Sequence, residues 1–339
     1  MPSIMLSAVL IPFQLINTMD ILRKIVLAVA LLAGVSLFSS RAQELSLKPD
    51  ATCAYVIRGA DTLLLDIYRP APGAETLWKG KAKPTVLNVT GGGFAGGARN
   101  IEGFMPWFKD LLDRGYPVVS IDYRLYMKDR RAIGNELGIF LKTAIEFATE
   151  DLLTATAWLL ENGAKYGVDA RNMVLTGGSA GAATVLQAEY ELCNRTPLAS
   201  ILPEDFDYAG IMAFAGHIAP DSGKPVFVRK PCPIMLLHGE DDKVVDYEKF
   251  TKQGLNLYGS KSIAKVLRDN GFVVWNIHYP GFRHEMAGSM FTTIHLQDAF
   301  MTTEVVDHTG SSVDASVDWP GKPTGKNYRL PWLYDGKEH

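Results

Sequence analysis

Short apolar runs alternate with longer amphipathic segments over most of this chain. Residues 54–68 alternate apolar and polar positions in two pieces around a polar turn, which predicts a β-hairpin. Residues 145–159 carry apolar side chains at helical spacing, which predicts an amphipathic helix. The other predicted strands are 85–89, 116–121, 173–176, 211–214, 234–237 and 272–277, and the other predicted helices are 182–193, 246–269 and 286–301.

Strands that alternate with helices in this way are typical of the α/β class. The strands joined through each helix lie parallel to one another. We therefore expect a mostly parallel central sheet with helices on both faces. In such sheets the chemistry lies at the carboxyl ends of the strands, so the residues that follow each strand are the candidates for a functional site.

The first 42 residues depart from this pattern and predict a secretory signal. Two basic residues precede an apolar run at 25–38, and small residues stand at positions 40 and 42. The run is shorter than the roughly 20 residues that span a bilayer, which favours a cleaved signal over a membrane anchor. Cleavage is expected after Ala42, with Met19 as an alternative start, and this predicts a secreted or periplasmic protein.

Residues 43–309 are predicted to form one domain, because no repeat, low-complexity tract or linker divides them. The tail at 310–339 is rich in glycine, proline, serine and aspartate and is expected to be irregular and to pack on that domain. The chain has 339 residues, of which 47% are hydrophobic and 21% charged, and this composition excludes a disordered chain. Its net charge of −3 offers no basic excess, so no nucleic-acid partner is expected.

Three cysteines, Cys53, Cys193 and Cys232, follow the predicted signal. They form no C-x-x-C motif, so neither a cysteine zinc site nor a dithiol redox centre is predicted. In an oxidising compartment one pair could form a disulfide, but the sequence does not choose the pair. Buried, unpaired thiols are the expected state of all three.

A nucleophile motif follows the strand predicted at 173–176. The segment GGSAG at 177–181 fits G-x-S-x-G, and a predicted helix comes next. In this setting the serine stands on a sharp turn that lifts its hydroxyl above the sheet. A phosphate-binding P-loop is excluded because no Gly-Lys-Ser/Thr follows, and the G-x-G-x-x-G pattern of dinucleotide sites is not met. We therefore predict that Ser179 is a catalytic nucleophile.

A serine nucleophile needs a base and an acid that orients the base, and both follow the serine in this kind of fold. Three consecutive acids follow the strand predicted at 234–237, and spacing alone does not choose between Asp241 and Asp242. His284 follows the last predicted strand through a glycine loop and precedes a predicted helix. That setting makes His284 the predicted base.

The segment TGGGF at 90–94 directly follows the strand predicted at 85–89. Successive glycines allow backbone N–H groups to point together into a concavity, as in an oxyanion hole. Each such donor stabilises the anionic intermediate of acyl transfer by about 3 kcal/mol. The N–H of Ala180, which follows the nucleophile, would complete the hole. We prefer this interpretation to a merely flexible loop because the glycines follow a buried strand.

Five segments resemble, in the same order, those of the α/β-hydrolase esterases, specifically the hormone-sensitive-lipase-like and the feruloyl- or acetylxylan-esterase-like carboxylesterases. They are TGGGF at 90–94, DYRL at 122–125, GGSAG at 177–181, HGEDDKVV at 238–245 and GFRH at 281–284. The resemblance implies an α/β-hydrolase fold in which the DYRL segment braces the site. Its H-G-x-x-D-x-x-V pattern implies that Asp242 is the acid, and it implies that Gly92, Gly93 and Ala180 donate to the oxyanion.

The resemblance further implies a serine carboxylesterase that uses no cofactor and no metal. Phe94 and His217 are candidate substrate-binding residues, whereas His238 is interpreted as a structural loop residue. The family's usual histidine before the three glycines is Thr90 here. Because the donors of the oxyanion hole are backbone groups, we expect activity to survive this departure.

No large lid is expected over the site, which favours small-molecule or polysaccharide-linked esters, such as soluble short-chain, acetyl or feruloyl esters, over oil-interface substrates. No stable membrane anchor is expected, and the sequence leaves the oligomeric state open. The alternatives are a serine peptidase of the same fold and a catalytically inactive binding protein.

Overall fold

A computed structural model describes residues 47–130, 136–221, 223–252 and 254–318. The predicted signal peptide at 1–42 and the last part of the tail, 319–339, lie outside the described residues, so cleavage after Ala42 stays a prediction. Within the described ranges, no helix is both long and apolar enough to cross a membrane.

The elements of the described chain follow the predicted alternation of strands and helices. The strands are β1 (Ala51–Arg58), β2 (Asp61–Tyr68), β3 (Leu77–Trp78), β4 (Lys81–Ala82), β5 (Thr85–Val89), β6 (Val118–Ile121), β7 (Met173–Gly178), β8 (Gly210–Phe214), β9 (His217–Ile218), β10 (Ile234–Gly239), β11 (Lys249–Lys252), β12 (Leu255–Gly259), β13 (Val274–Tyr279) and β14 (Val313–Ser316). The α-helices are α1 (Met105–Asp113), α2 (Glu136–Asn162), α3 (Ala180–Asn194), α4 (Ser260–Asp269) and α5 (Ile294–Phe300).

Nine of these strands form the central sheet, in the order β1-β2-β6-β5-β7-β8-β10-β13-β14. β1 and β6 each pair with β2 in antiparallel fashion, and the remaining neighbours in the order pair in parallel. β5, β7, β8 and β10 are buried along their whole lengths, as expected for inner strands covered on both faces. The predicted mostly parallel α/β sheet is confirmed.

Two hydrophobic clusters cover the two faces of the sheet. Successive side chains of a strand point to opposite faces, so Val86 and Val174 join one cluster and their neighbours Leu87 and Leu175 join the other. α2, α3 and α4 contribute to the cluster of Leu87, and α1 and α5 contribute to the opposite one. The three layers leave the carboxyl ends of the parallel strands free to carry the site.

The helix predicted at 246–269 is wrong over its first half. β11 and β12 form an antiparallel hairpin there, and only α4 is helical. Pairing with a distant strand explains the difference, because Tyr258 of β12 pairs with Ile218 of β9. Gly254, with φ +85°, adopts a left-handed backbone in the turn of the hairpin, which glycine does at little cost.

The helix predicted at 286–301 is a series of three shorter helices. They are a 3-10 helix at His284–Phe291, α5, and a π-helix at Met301–Val306. Gly288 has non-helical φ and ψ inside the first of them, so a regular α-helix cannot run through this position.

The tail was expected to be irregular from residue 310, and this is wrong for β14. Val313 of β14 pairs with Trp275 of β13, and the two strands run parallel. An edge strand such as β13 presents unpaired backbone N–H and C=O groups, which a further strand can satisfy. The tail therefore extends the sheet by one strand.

All three cysteines lie within the described residues and are free. Cys193 is buried, and its thiol donates to Oε1 of the buried Glu189 at 3.4 Å. Cys53 and Cys232 are only partly buried, so the expected burial holds fully for Cys193 alone.

Candidate active site

Ser179 stands on a strained turn between β7 and α3. Its backbone has φ 54° and ψ −120°, a conformation that costs free energy and persists only where the surroundings enforce it. The neighbouring glycines make room for the turn. A Cβ on Gly178 would lie 2.0 Å from the carbonyl oxygen of Ala287, and a Cβ on Gly181 would lie 2.0 Å from that of Val89. The sequence motif at 177–181 therefore has the strand–turn–helix geometry that it predicts.

Ser179, His284 and Asp242 come together from the ends of three different strands. Nε2 of His284 lies 2.9 Å from Oγ of Ser179, and Nδ1 of the same ring lies 2.7 Å from Oδ2 of Asp242. Ser179 follows β7, Asp242 follows β10 and His284 follows β13. All three strands are parallel members of the sheet. The predicted trio thus forms one continuous chain of hydrogen bonds.

The carboxylate of Asp242 is buried and well supplied with donors. Its Oδ1 accepts the backbone N–H groups of Val244 at 2.8 Å and Val245 at 3.0 Å. Burial by itself raises the pKa of the Asp242 carboxyl, but its hydrogen bonds with His238 and His284 outweigh burial and hold the pKa well below its usual range. Asp242 is therefore ionised in the folded protein, and it is the acid that contacts His284, whereas its neighbour Asp241 is exposed.

His238 takes a larger part in the site than its interpretation as a structural loop residue implied. Its ring is fully buried, with Nε2 2.9 Å from the carbonyl oxygen of Val245 and 3.3 Å from Oδ2 of Asp242. Because Nε2 faces two acceptors it carries the proton, and Nδ1 accepts from Oγ of Ser260 at 2.8 Å. His238 therefore helps to position Asp242, since it approaches Oδ2, the same carboxylate oxygen that His284 contacts. Its place at the start of the H-G-x-x-D pattern was the available signal.

The three glycines after β5 fold against the serine turn. A Cβ on Gly91 would lie 2.6 Å from the carbonyl oxygen of Gly178, and one on Gly92 would lie 2.4 Å from that of Gly96. Gly92 and Gly93 have φ of +124° and +61°, in the region that favours glycine. The structure thus brings the predicted oxyanion residues to the edge of the sheet where Ser179 stands.

The DYRL segment braces this glycine loop, as the resemblance implied. The hydroxyl of Tyr123 donates to the carbonyl oxygen of Thr90 at 2.9 Å. Oδ1 of Asp122 accepts the backbone N–H of Arg99 at 3.0 Å, and its Oδ2 accepts Nη1 of the same residue at 2.7 Å. Arg99 thus ties the end of the glycine loop to Asp122. The sequence analysis did not identify Arg99 as a site residue, because no local pattern marks its pairing with Asp122. Thr90 is buried and its side chain contributes no hydrogen bond to the loop.

Two cavities meet at Ser179. The first, of about 340 Å³ and here called the His217 cavity, is lined by Gly93, Phe94, Leu137, Leu141, Ser179, Ala180, His217, Val244, Phe250 and Leu257, among others. The second, of about 490 Å³ and here called the His284 cavity, is lined by Gly91, Gly92, Gly93, Phe104, Ser179, Val244, His284, Met290 and Phe291, among others. The predicted oxyanion residues thus border the cavities together with the serine.

The two candidate substrate-binding residues both line the His217 cavity. Phe94 is buried, with a backbone φ of 59°, and its ring meets that of Tyr123 edge to face at 6.3 Å. His217 is 6% exposed, and its Nδ1 is buried with no hydrogen-bond partner in the described chain. Burial, aided by the nearby charges of His238 and His284, lowers the pKa of His217 to about 4. His217 is therefore neutral at pH 7.

This lowered pKa makes the stability of the fold depend on pH. Below pH 6.5 the unfolded chain binds a proton at His217, which the folded chain does not bind until about pH 4. The free energy of unfolding should therefore fall by about 3 kcal/mol as the pH drops across this window. Chemical denaturation at pH 7, 5.5 and 4 should show this loss in the native protein and a shallower loss in His217→Asn.

His308 offers a matched control for this titration, because it is exposed. His308→Asn should keep the pH dependence of the native protein. Equal pH dependence in His217→Asn and the native protein would show that His217 titrates normally.

Clusters that could hold a metal ion were sought among histidine, cysteine, aspartate and glutamate side chains. None with three or more members exists in the described part of the chain. His238, Asp242 and His284 are hydrogen-bonded to one another or to neighbouring groups.

A strained serine turn, a Ser-His-Asp chain and a braced glycine loop at the carboxyl edge of this sheet define an α/β-hydrolase. The family models agree. The BD-FAE model matches residues 65–191, and the Phospholipase/Carboxylesterase model matches residues 142–294. The chain therefore has the α/β-hydrolase fold.

One curated relative is similar to part of the chain. Ethyl acetate hydrolase of Pseudomonas putida is 29% identical over 131 residues, which are 38% of this chain and 35% of that protein. The chain thus matches about a third of the length of this curated relative.

The fold is shared with esterase 2 of Thermogutta terrifontis. The superposition on its apo form has a TM-score of 0.52 at 17% identity. It covers 81% of this chain and 100% of the esterase chain. The propionate-bound form has a TM-score of 0.52 at 18% identity, over 78% and 96% of the two chains. The form phosphorylated by paraoxon has a TM-score of 0.52 at 18% identity, over 75% and 93%.

Proposed function

We propose that the protein hydrolyses carboxylic esters through an acyl-enzyme on Ser179. The observation that carries this proposal is the Ser179–His284–Asp242 chain, with its two hydrogen bonds of 2.9 and 2.7 Å. A serine hydroxyl is a weak nucleophile by itself, and the imidazole beside it removes the proton as the bond to the substrate forms.

In the first step Oγ of Ser179 attacks the ester carbonyl carbon, and Nε2 of His284 takes the hydroxyl proton. The imidazolium then gives this proton to the leaving alcohol oxygen as the bond between carbonyl carbon and alcohol breaks. Asp242 keeps Nδ1 of His284 protonated and stabilises the imidazolium, a role that its ionised state supports. Water then attacks the acyl-enzyme with His284 again as base, and the acid is released.

The tetrahedral intermediates place a negative charge on the former carbonyl oxygen. The backbone N–H groups of Gly92, Gly93 and Ala180 are proposed to receive it, because these residues border the cavities at Ser179. Backbone donors held in place by packing need no reorganisation when the charge develops. Neighbouring carbonyl oxygens lie so close to Gly91 and Gly92 that a Cβ would collide with them, and this close packing restricts the loop.

For the substrate we propose soluble short-chain esters or acetyl and feruloyl esters on polysaccharides. Two cavities of about 340 and 490 Å³ suit small groups on either side of the ester bond. The name of the Pseudomonas putida relative, ethyl acetate hydrolase, supports short acyl chains. We further propose that the protein is secreted or periplasmic, and Gln43 as the first residue of the mature protein, found by N-terminal sequencing, would support this.

Two measurements on the purified protein test the ester hydrolase proposal. We expect hydrolysis of p-nitrophenyl acetate and butyrate to be much faster than that of the palmitate. A fluorophosphonate should stop this activity and add its mass to the peptide that contains Ser179. Labelling without hydrolysis of esters would favour the peptidase alternative, and neither labelling nor hydrolysis would favour a binding protein.

A further inference from the structure

The proposed oxyanion residues and His284 distinguish the two cavities. Gly93 borders both, whereas Gly92 borders the His284 cavity and Ala180 borders the His217 cavity. In the reaction proposed above, the ester carbonyl therefore lies between the cavities. The leaving oxygen lies within reach of Nε2 of His284, which protonates it, so the alcohol part of the ester extends into the His284 cavity. The acyl part extends into the His217 cavity.

The wall of the His284 cavity carries few side chains that can hydrogen-bond. Among the described residues that line it, Ser179 and His284 alone have such a side chain, and both take part in the proposed reaction. The other side chains are apolar. Ile101, Phe104 and Phe291 line the cavity and are only partly buried, so a bound alcohol can contact them.

Packing holds the two phenylalanines of this wall in place. The ring centres of Phe104 and Phe291 lie 6.3 Å apart, and Phe104 also packs against the buried rings of Trp107 at 6.1 Å and Phe108 at 6.3 Å. Phe291 ends the 3-10 helix that begins at His284, so one short segment carries both the base and part of the wall. Packing and chain connectivity thus both restrict the position of this aromatic surface.

An apolar wall discriminates between alcohols by their polarity. A hydroxyl that leaves water without a new hydrogen-bond partner costs free energy, whereas a methyl group that leaves water lowers the free energy. A sugar carries hydroxyls on carbons near the ester oxygen, and it would bring several of them against this wall.

We propose that the His284 cavity selects esters of apolar alcohols, with Phe104 and Phe291 as specificity-determining residues. This proposal rests on the ester hydrolysis proposed above. Of the substrates considered there, it favours soluble short-chain esters over esters linked to polysaccharides. The alcohol part of the bound ester packs against the two rings, while its acyl group occupies the His217 cavity.

The test compares butyl acetate with 3-hydroxypropyl acetate, whose alcohol parts have equal length. The value of kcat/KM should be at least about fivefold higher for butyl acetate. The hydroxyl withdraws electrons from the ester, so intrinsic reactivity would favour the opposite order. The ratio should fall about twofold or more in Phe104→Ala and in Phe291→Ala, because each change removes apolar surface from the wall. Titration of the released acetic acid at constant pH measures both rates.

A phenylalanine of the other cavity is the matched control. Phe250 lines the His217 cavity and is exposed. Phe250→Ala should keep the native preference for butyl acetate over 3-hydroxypropyl acetate. It should instead lower the ratio of kcat/KM for p-nitrophenyl butyrate to that for p-nitrophenyl acetate, since it removes apolar surface from the acyl side.

An equal or higher kcat/KM for 3-hydroxypropyl acetate in the native protein would overturn the proposal, and this comparison needs no variant. An unchanged ratio in both Phe104→Ala and Phe291→Ala would also overturn it, provided that Ser179 still reacts with a fluorophosphonate and the serine turn is thus intact. A preference lost in Phe250→Ala alone would place the alcohol in the other cavity. If the native protein hydrolyses no ester and is not labelled, the proposed function itself fails, which is a distinct result.

Discussion

Replacing Ser179 with alanine should lower kcat for p-nitrophenyl butyrate about 10⁶-fold, to the level left by binding and the oxyanion donors. The hydroxyl of Ser179, 2.9 Å from Nε2 of His284, is the atom that forms the acyl bond in the proposed mechanism. Alanine fits the same strained turn at little steric cost, so the fold should survive. Initial rates at saturating substrate measure the loss.

A second serine provides the matched control. Ser200 is exposed, and its hydroxyl donates to the carbonyl oxygen of Pro197. Ser200→Ala should keep the native kcat and the native reaction with a fluorophosphonate. A Ser179→Ala protein that retains more than about a hundredth of the activity, far above what a lost nucleophile leaves, would contradict the acyl-enzyme mechanism.

Replacing Asp242 with asparagine should lower kcat about 10⁴-fold with a smaller change in KM. The amide has nearly the shape of the carboxylate, but it carries no charge to stabilise the imidazolium of His284. It also offers a donor where Nδ1 of His284 and Nε2 of His238 each need an acceptor. The reaction of Ser179 with a fluorophosphonate should slow in parallel, because it requires the same activation.

The adjacent acid is the control for this substitution. Asp241 is exposed, and its backbone N–H, which a side-chain replacement leaves intact, donates to the carbonyl oxygen of Phe282. Asp241→Asn should therefore leave kcat within about twofold of the native value, as for a surface change. Equal losses in the two variants would mean that Asp242 does not have the role proposed for it.

The choice between Asp241 and Asp242 could not be made from the spacing of residues in the sequence. Spacing left Asp241 and Asp242 equivalent, and only a family resemblance preferred Asp242. In the structure the turn after β10 buries Asp242 between His238 and His284 and leaves Asp241 exposed. A shift of one position in a turn reverses which side chain points inward. The conformation of this turn depends on distant residues, because the N–H of Glu240 donates to the carbonyl oxygen of Tyr279 and that of Asp241 to the carbonyl oxygen of Phe282.

The sequence by itself determined the α/β class, the inner strands and the serine turn. These features depend on local chemistry, since a strand buried on both faces is a continuous apolar run and a tight turn needs glycine where a Cβ would collide. Ser179, His284 and the glycines at 91–93 could therefore be named before any coordinates.

Only the tertiary structure decided the rest. The pairing of β12 with β9, the pairing of β14 with β13 and the contact of Arg99 with Asp122 each join residues that are separated in the chain. The free energy of such contacts comes from pairing and burial against distant partners, which override local helix or loop preference. The two cavities that meet at Ser179 are likewise a property of packing.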